Sequence, residues 1–234
     1  MLYIRKMNKF RTIGILSMCL VLVAAPSCKK KAETVDMYYD YFPQTQGKYV
    51  VYSVHEVIVD TQVNQKDTLD YFIKTVIGDT LTDNQGRIVH KFERYKSNSA
   101  SGPWAIKDVW TCVIDGPRGE LVEENNRTIK LIFAPNENDL WNMNAYNTLD
   151  PLECYYSGLN VPYSLNGMDF SSSVTVEQED FSSYIDSRRK YEVYARGVGM
   201  IYKYYRDFVI NNGNPNDVKK GRLLVMSAVA YGQQ

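Results

Sequence analysis

Three groups of residues have types and spacing that could do chemistry. The first is Cys28, in the run Ala25-Pro26-Ser27-Cys28-Lys29 at the end of an uncharged stretch of 17 residues, Thr12 to Cys28. A cysteine at a new N-terminus can take a diacylglycerol on its sulfur, because the thiolate is a strong nucleophile. Cleavage after Ala25 would instead leave Pro26 first, and a residue with locked φ and no N–H suits an extended protease cleft poorly. The sequence therefore predicts lipidation of Cys28, even though Ala25 stands where leucine is usual three residues before such a cysteine.

The second group is Cys112 and Cys154, the only other cysteines after residue 27. In an oxidising compartment they can pair. Closing 42 residues would then contribute ~4 kcal/mol in the chain-entropy model. The competing reading is two unpaired thiols, Cys112 buried on a strand and Cys154 packed beside Tyr155. The third group lies in residues 135–170, where Trp141, Tyr146, Tyr155, Tyr156 and Tyr163 are interleaved with asparagines such as Asn142 and Asn144. A flat ring presents an apolar face to sugar C–H groups while Asn edges pair with hydroxyls, so Trp141, Asn144, Tyr146, Tyr155 and Tyr156 are candidate ligand-binding residues. The alternative is a loop short of aliphatic residues that packs itself onto a sheet with its rings.

Catalytic machinery is not evident in the pattern. The two histidines, His55 and His90, sit inside strand-like segments, which suits hydrogen-bonded structural roles better than a nucleophile–base pair. The acidic runs Glu123/Glu124 and Glu177/Glu179/Asp180 alternate across strands, and nothing in the sequence brings two of them to the ~5–9 Å of glycosidase carboxylates. The Asp-Asn-Gly run at 83–86 lacks the closing glutamate of a calcium loop. Gly197-Val198-Gly199 reads as a kink or bulge rather than a phosphate loop, since no helix follows it. The expectation is a non-enzyme without a metal or cofactor.

The elements that must carry these residues begin with an export leader. Residues 1–11 are basic, and the apolar run that follows would reach only about 25 Å as a helix, short of the ~30 Å hydrocarbon core. Residues 1–27 hold four basic residues and no acid, so the chain from Cys28 onward has 23 basic against 27 acidic residues. That mild acidity, without a basic stripe, excludes nucleic acid as the expected partner. Residues 28–40 read as the lipidated cysteine and a polar tether beginning Lys29-Lys30-Lys31, and 41–234 as one globular domain.

Within that domain the spacing predicts strands at 49–60, 70–77, 87–96, 104–114, 121–123, 128–133, 190–195, 198–210 and 222–231, separated by Gly/Asn/Asp turns about every ten residues. The fold class expected is all-β: a single antiparallel sheet, half-barrel or sandwich-like, with a long irregular aromatic-rich insertion. The tyrosines Tyr191, Tyr194, Tyr202, Tyr204, Tyr205 and Tyr231 line late strands. They predict either cross-strand core filling or a concave apolar face able to take an acyl chain.

The segments YFPQTQGKYVVYSV, ENNRTIKLIFAPNENDLWNMNAYN, VTVEQED and YARGVGMIYK together make the chain resemble a group of secreted lipoproteins of the Bacteroidetes type. The resemblance spans most of residues 41–205 and implies an envelope location without implying an activity. Asp67-Thr68-Leu69 and Asp79-Thr80-Leu81 are similar to the O-glycosylation acceptors of such proteins and are expected at turns. The whole reads as a lipoprotein of the outer membrane, attached by N-terminal acyl chains of the palmitate type. Its expected role is non-catalytic, either binding a glycan or lipid or acting as an assembly subunit that contacts a protein partner in a surface complex.

Overall fold

The computed structural model describes residues 35–234; the segment expected to be a leader, Cys28 and the start of the expected tether lie outside the described residues. Twelve strands follow one another: β1 (Lys48–Asp60), β2 (Gln65–Thr82), β3 (Ile88–Ser97), β4 (Ala105–Asp115), β5 (Arg118–Glu123), β6 (Asn126–Ile132), β7 (Leu140–Asn142), β8 (Glu153–Leu165), β9 (Met168–Ser182), β10 (Asp186–Ala195), β11 (Gly199–Asn211) and β12 (Asn214–Gln233). All belong to one antiparallel sheet in the order β6-β5-β4-β3-β2-β1-β12-β11-β10-β9-β8-β7. Strands consecutive in sequence pair with one another except β6 and β7, which are the two edges, and the first and last strands join the halves, Lys48 facing Gln233 and Asp60 facing Lys220. This is the expected all-β class, and the sheet curls into a nearly closed barrel.

Curling brings the free edges β6 and β7 together, although no ladder joins them. The seam is closed in two ways. Ile129 N–H donates to the Met143 carbonyl at 2.9 Å, extending β7 past its last ladder pair. The Trp141 Nε1–H donates to the Ile129 carbonyl at 3.0 Å, and the Tyr156 hydroxyl both donates to Ile132 O (2.6 Å) and accepts from Ile132 N–H (2.7 Å). Edge groups left open would template pairing with another chain.

Two departures from the expected organisation follow from this closure. Residues 135–170 are not one irregular insertion: β7 and β8 occupy 140–142 and 153–165, β9 starts at 168, and the longest stretch without strand shrinks to 143–152. β8 was hidden because Cys154, Tyr155 and Tyr156 are all of apolar type. Only pairing with β9 assigns Cys154 and Tyr156 to the buried side and Tyr155 to the exposed one. The ordered body also starts before residue 41. Met37 and Tyr38 pack against the core, and Arg196 holds Asp36 (3.1 Å) and Asp40 (2.7 Å). Residues 36–234 form one compact unit, and both hydrophobic clusters and every strand pairing lie within it. A unit with its own core folds on its own.

β8 bends sharply where its register against β9 slips between Ser157 and Val161 and again before Tyr163, with Asn160 in the left-handed region (φ 57°). The bend carries the β8–β9 tip onto β12, where Asn166 Nδ2 donates to the Ala228 carbonyl at 2.8 Å. Phe170, Val193, Ala195 and Ile201 are buried there with Tyr163, Tyr191 and Tyr202 packed around them. Of the late-strand tyrosines, Tyr191, Tyr194 and Tyr202 thus join the core, as cross-strand pairing predicts, whereas Tyr205 lines the cavity and Tyr231 is exposed.

Candidate functional site

The barrel encloses a cavity of about 450 Å³, within the size range of small-molecule sites. Strand alternation builds it. Tyr52 and Val54 of β1, Ile73 and Thr75 of β2, and Leu224 and Met226 of β12 all line it, successive residues on each strand being two apart. One end is stoppered by the segment after the 3₁₀ turn Tyr39–Tyr41: buried Phe42 lies against Gly119, and Pro43 against Gly199. A β-carbon on Gly119 would meet the Phe42 ring at 3.2 Å, so a larger residue there would push the stopper outward by a few tenths of an ångström. Gly197 and Gly199, both at positive φ, shape the β10–β11 hairpin turn, a tighter feature than the bulge expected of them. The opposite end reaches solvent at Lys107 and Arg222, the two exposed lining residues.

The wall carries charge in three sets. Deepest is Glu192, 1% exposed, which accepts from Tyr194 Oη (2.7 Å) and Lys203 Nζ (2.8 Å) and lies 3.5 Å from the buried Lys130 ammonium. Lys130 also bridges Glu123 at 3.0 Å. Burial opposes the charge on Glu192, yet Lys130 and Lys203 outweigh it and hold the carboxyl well below the usual range. Burial likewise opposes charge on Lys130, and Glu123 and Glu192 reverse the effect, raising its pKa above the ordinary lysine value. The second set is Arg222 with Glu56 at 2.7 Å. Glu56 also accepts from Tyr71 Oη, whose pKa is pushed up to about 12 by burial and by that carboxylate. The third is Asp108, shared by Arg94 (3.1 Å) and Lys107 (2.6 Å), with the Arg94 guanidinium 3.9 Å over the Trp110 ring.

The residues expected to form a ligand platform are dispersed by the fold. Trp141 and Tyr156 are buried in the seam, their rings 4.7 Å apart and their polar atoms committed to β6, so neither presents a face for stacking. Asn144 is a turn residue: its Nδ2 donates to the Asp150 carbonyl and its Oδ1 accepts from Asn147. Tyr146, half-exposed, lies over Arg127 at 4.2 Å in an outer cluster where Arg87, Arg118 and Arg127 surround buried Glu120. Tyr155 is exposed on the opposite side of β8 from Tyr156. The structure does not gather these five into one site.

Cys112 and Cys154 are both buried free thiols, which corrects the disulfide alternative. Cys112 Sγ contacts Gln44 Nε2 at 3.6 Å, and Cys154 Sγ donates to the Leu152 carbonyl at 3.7 Å. His55 pairs with Asp70 across exposed strands, and His90 Nδ1 lies 3.2 Å from the Gly78 carbonyl. The acidic runs are consumed by ion pairs, Glu123 with Lys130, Glu177 with Arg189 and Glu179 with Lys190. Thr68 and Thr80 are exposed but lie inside β2 rather than at turns.

What sequence reasoning missed is the interior set: Lys130, Glu192, Lys203 and Arg94. The signal was present in part, since charged residues at inward positions of valine- and tyrosine-rich strands, such as Glu192 before Val193, break an otherwise apolar face. No family model matches the chain, and no curated protein matches it. Among solved structures, the 2.70 Å crystal structure of a "putative lipoprotein" from Parabacteroides distasonis ATCC 8503 is similar. It has a TM-score of 0.40 and 13% identity, over 82% of this chain and 98% of that one.

Proposed function

We propose that the chain is a lipid-anchored protein of the cell envelope, held in the outer membrane by acyl chains on Cys28, whose barrel binds an apolar, acyl-type ligand without transforming it. The cavity lining supports this reading. Val, Ile, Leu, Met and aromatic side chains share the wall with charged ones that are largely committed to ion pairs, and among the lining residues Gln44 is the only amide and Thr75 the only aliphatic hydroxyl. A sugar site needs several fixed polar edges for hydroxyls, whereas an alkyl chain gains chiefly by leaving water. Of the two ligand classes expected from sequence, lipid is the one we propose, because the neutral amide and hydroxyl edges that orient a sugar are few in this lining.

The test is a thermal-shift screen of residues 36–234 against single-chain lipids and oligosaccharides, paired with acyl-chain labelling of the full chain. At a hundred times its Kd an acyl ligand should add ~2.7 kcal/mol, or roughly 5–11 °C. Met226→Trp, which narrows the cavity at a lining position, should weaken the shift. Cys28→Ser should abolish labelling and release the protein from the membrane fraction. A shift by oligosaccharides alone, or none from any lipid, would overturn the binding reading; unchanged labelling in Cys28→Ser would overturn the anchor.

A further inference from the structure

The charges around the cavity do not cancel. Six cationic side chains line it, Lys48, Arg94, Lys107, Lys130, Lys203 and Arg222, against two carboxylates, Glu123 and Glu192. The deep set balances, two lysines against two glutamates, and Arg222 is matched one to one by Glu56. At the solvent end, however, Arg94 and Lys107 share the single carboxylate of Asp108. Glu124 accepts from Trp110 Nε1 at 3.3 Å but is not part of the lining.

We infer that the cavity takes a single-chain amphiphile with an anionic head, the head seated between Arg94 and Lys107 and the chain running inward toward the Phe42 stopper. This rests on the acyl-ligand reading above and adds polarity and charge to it. Arg94 is prepared for such a role. Stacking on Trp110 fixes its plane, both its bonds to Asp108 (3.1 and 3.2 Å) come from Nη1, and Nε and Nη2 make no hydrogen bond among the described residues. A guanidinium with an open edge meets a carboxylate or phosphate through two parallel N–H···O bonds. Lys107, exposed at the mouth, adds a second positive charge on the same carboxylate. Beyond this pair Phe92, Ile73, Ile77 and Val50 offer apolar wall to a chain, and the deep charges are neutralised by one another. Lys48, at the stoppered end, is the one lining cation with no carboxylate partner among the described residues, but its ammonium is taken by the Gly197 carbonyl at 2.6 Å. The head therefore belongs at the open end.

The experiment is displacement of a fluorescent fatty-acid probe from residues 36–234 by palmitate, palmitoyl-lysophosphatidylglycerol and uncharged monopalmitoylglycerol, which share one chain. At low salt the anionic compounds should compete about tenfold better than the uncharged one or more, the scale of one charge-assisted hydrogen bond. Lys107→Glu, a change at an exposed position, should bring all three to parity by weakening only the anionic pair, and Arg94→Gln should do the same. Lys48→Gln should change none. Tighter palmitate marks a free fatty acid as the ligand and tighter lysophospholipid marks a phosphate head; both support the inference. Parity in the unmodified protein, or no effect of Lys107→Glu, overturns it and leaves the acyl-ligand reading standing. Failure of all three compounds to displace the probe overturns both.

Discussion

At the scale of single residues, burial sets the chemistry of the two body cysteines. Desolvation pushes both thiols up to about 12, since a thiolate in an apolar wall lacks the water that would stabilise it. Almost none of either is thiolate near neutrality, and both are 1% exposed or less. Iodoacetamide at pH 8 without reductant should therefore leave Cys112 and Cys154 unmodified in the native protein and alkylate both after unfolding in guanidinium. Mass spectrometry reads the result, and absence of label after unfolding would show a bridge. Trp141 makes a related point. Its position among asparagines suggested a sugar platform, but its indole N–H is needed by the Ile129 carbonyl, and that need is visible only once β6 lies beside it.

At the scale of elements, the seam is the weak joint of the sheet, because side chains replace a ladder. Tyr156 supplies one donor and one acceptor to Ile132 from a buried position. Tyr156→Phe keeps the ring and removes both bonds, leaving a backbone N–H unpaired. The expected loss is about 1–3 kcal/mol, a fall in Tm of roughly 2–12 °C. Hydrogen exchange should accelerate at Ile132 while amides of β1, paired on both sides, stay protected. Equal acceleration throughout would show that the seam opens only with global unfolding. Most strands were legible before the structure, β1 and β3 to within a residue or two, because Val- and Ile-rich runs between Asn/Gly turns are local signals. β2 and β12 extend well past their expected ends, over 65–69 and 214–221, since these outer turns of the hairpins are polar and their pairing comes from neighbours rather than from composition.

At the scale of the molecule, the buried charges tie stability to pH from both sides. Glu192, whose folded pKa lies below its unfolded value of ~4.3, contributes stability above that value and loses it as pH falls through the folded pKa. Lys130, whose folded pKa lies above ~10.4, contributes below that value and loses it as pH rises through the folded pKa. Stability should therefore run flat through neutrality and fall at both extremes. Lys130→Met, which leaves Glu123 and Glu192 with Lys203 alone, should cost about 3–5 kcal/mol at pH 7. The deficit should shrink toward pH 4, where the orphaned carboxyls can take up a proton. Denaturant melts of both proteins at pH 4, 7 and 9 check this; a deficit that does not vary with pH would show that the ammonium is not what holds those carboxylates.

The amino-acid sequence by itself determined what depends on neighbours in the chain. The alternating strands, their turns and the single antiparallel sheet all follow from spacing over a few to a dozen residues. Closure, the cavity and its charge were decided by the tertiary structure alone. Strands apolar on both faces hide which face turns inward, and the junction of Lys48 with Gln233 spans nearly the whole body. Whether a twelve-stranded sheet stays open or meets itself depends on twist and register slips accumulated across every strand. That summation put Trp141 and Tyr156 at a seam and turned Lys130 and Glu192 toward each other inside.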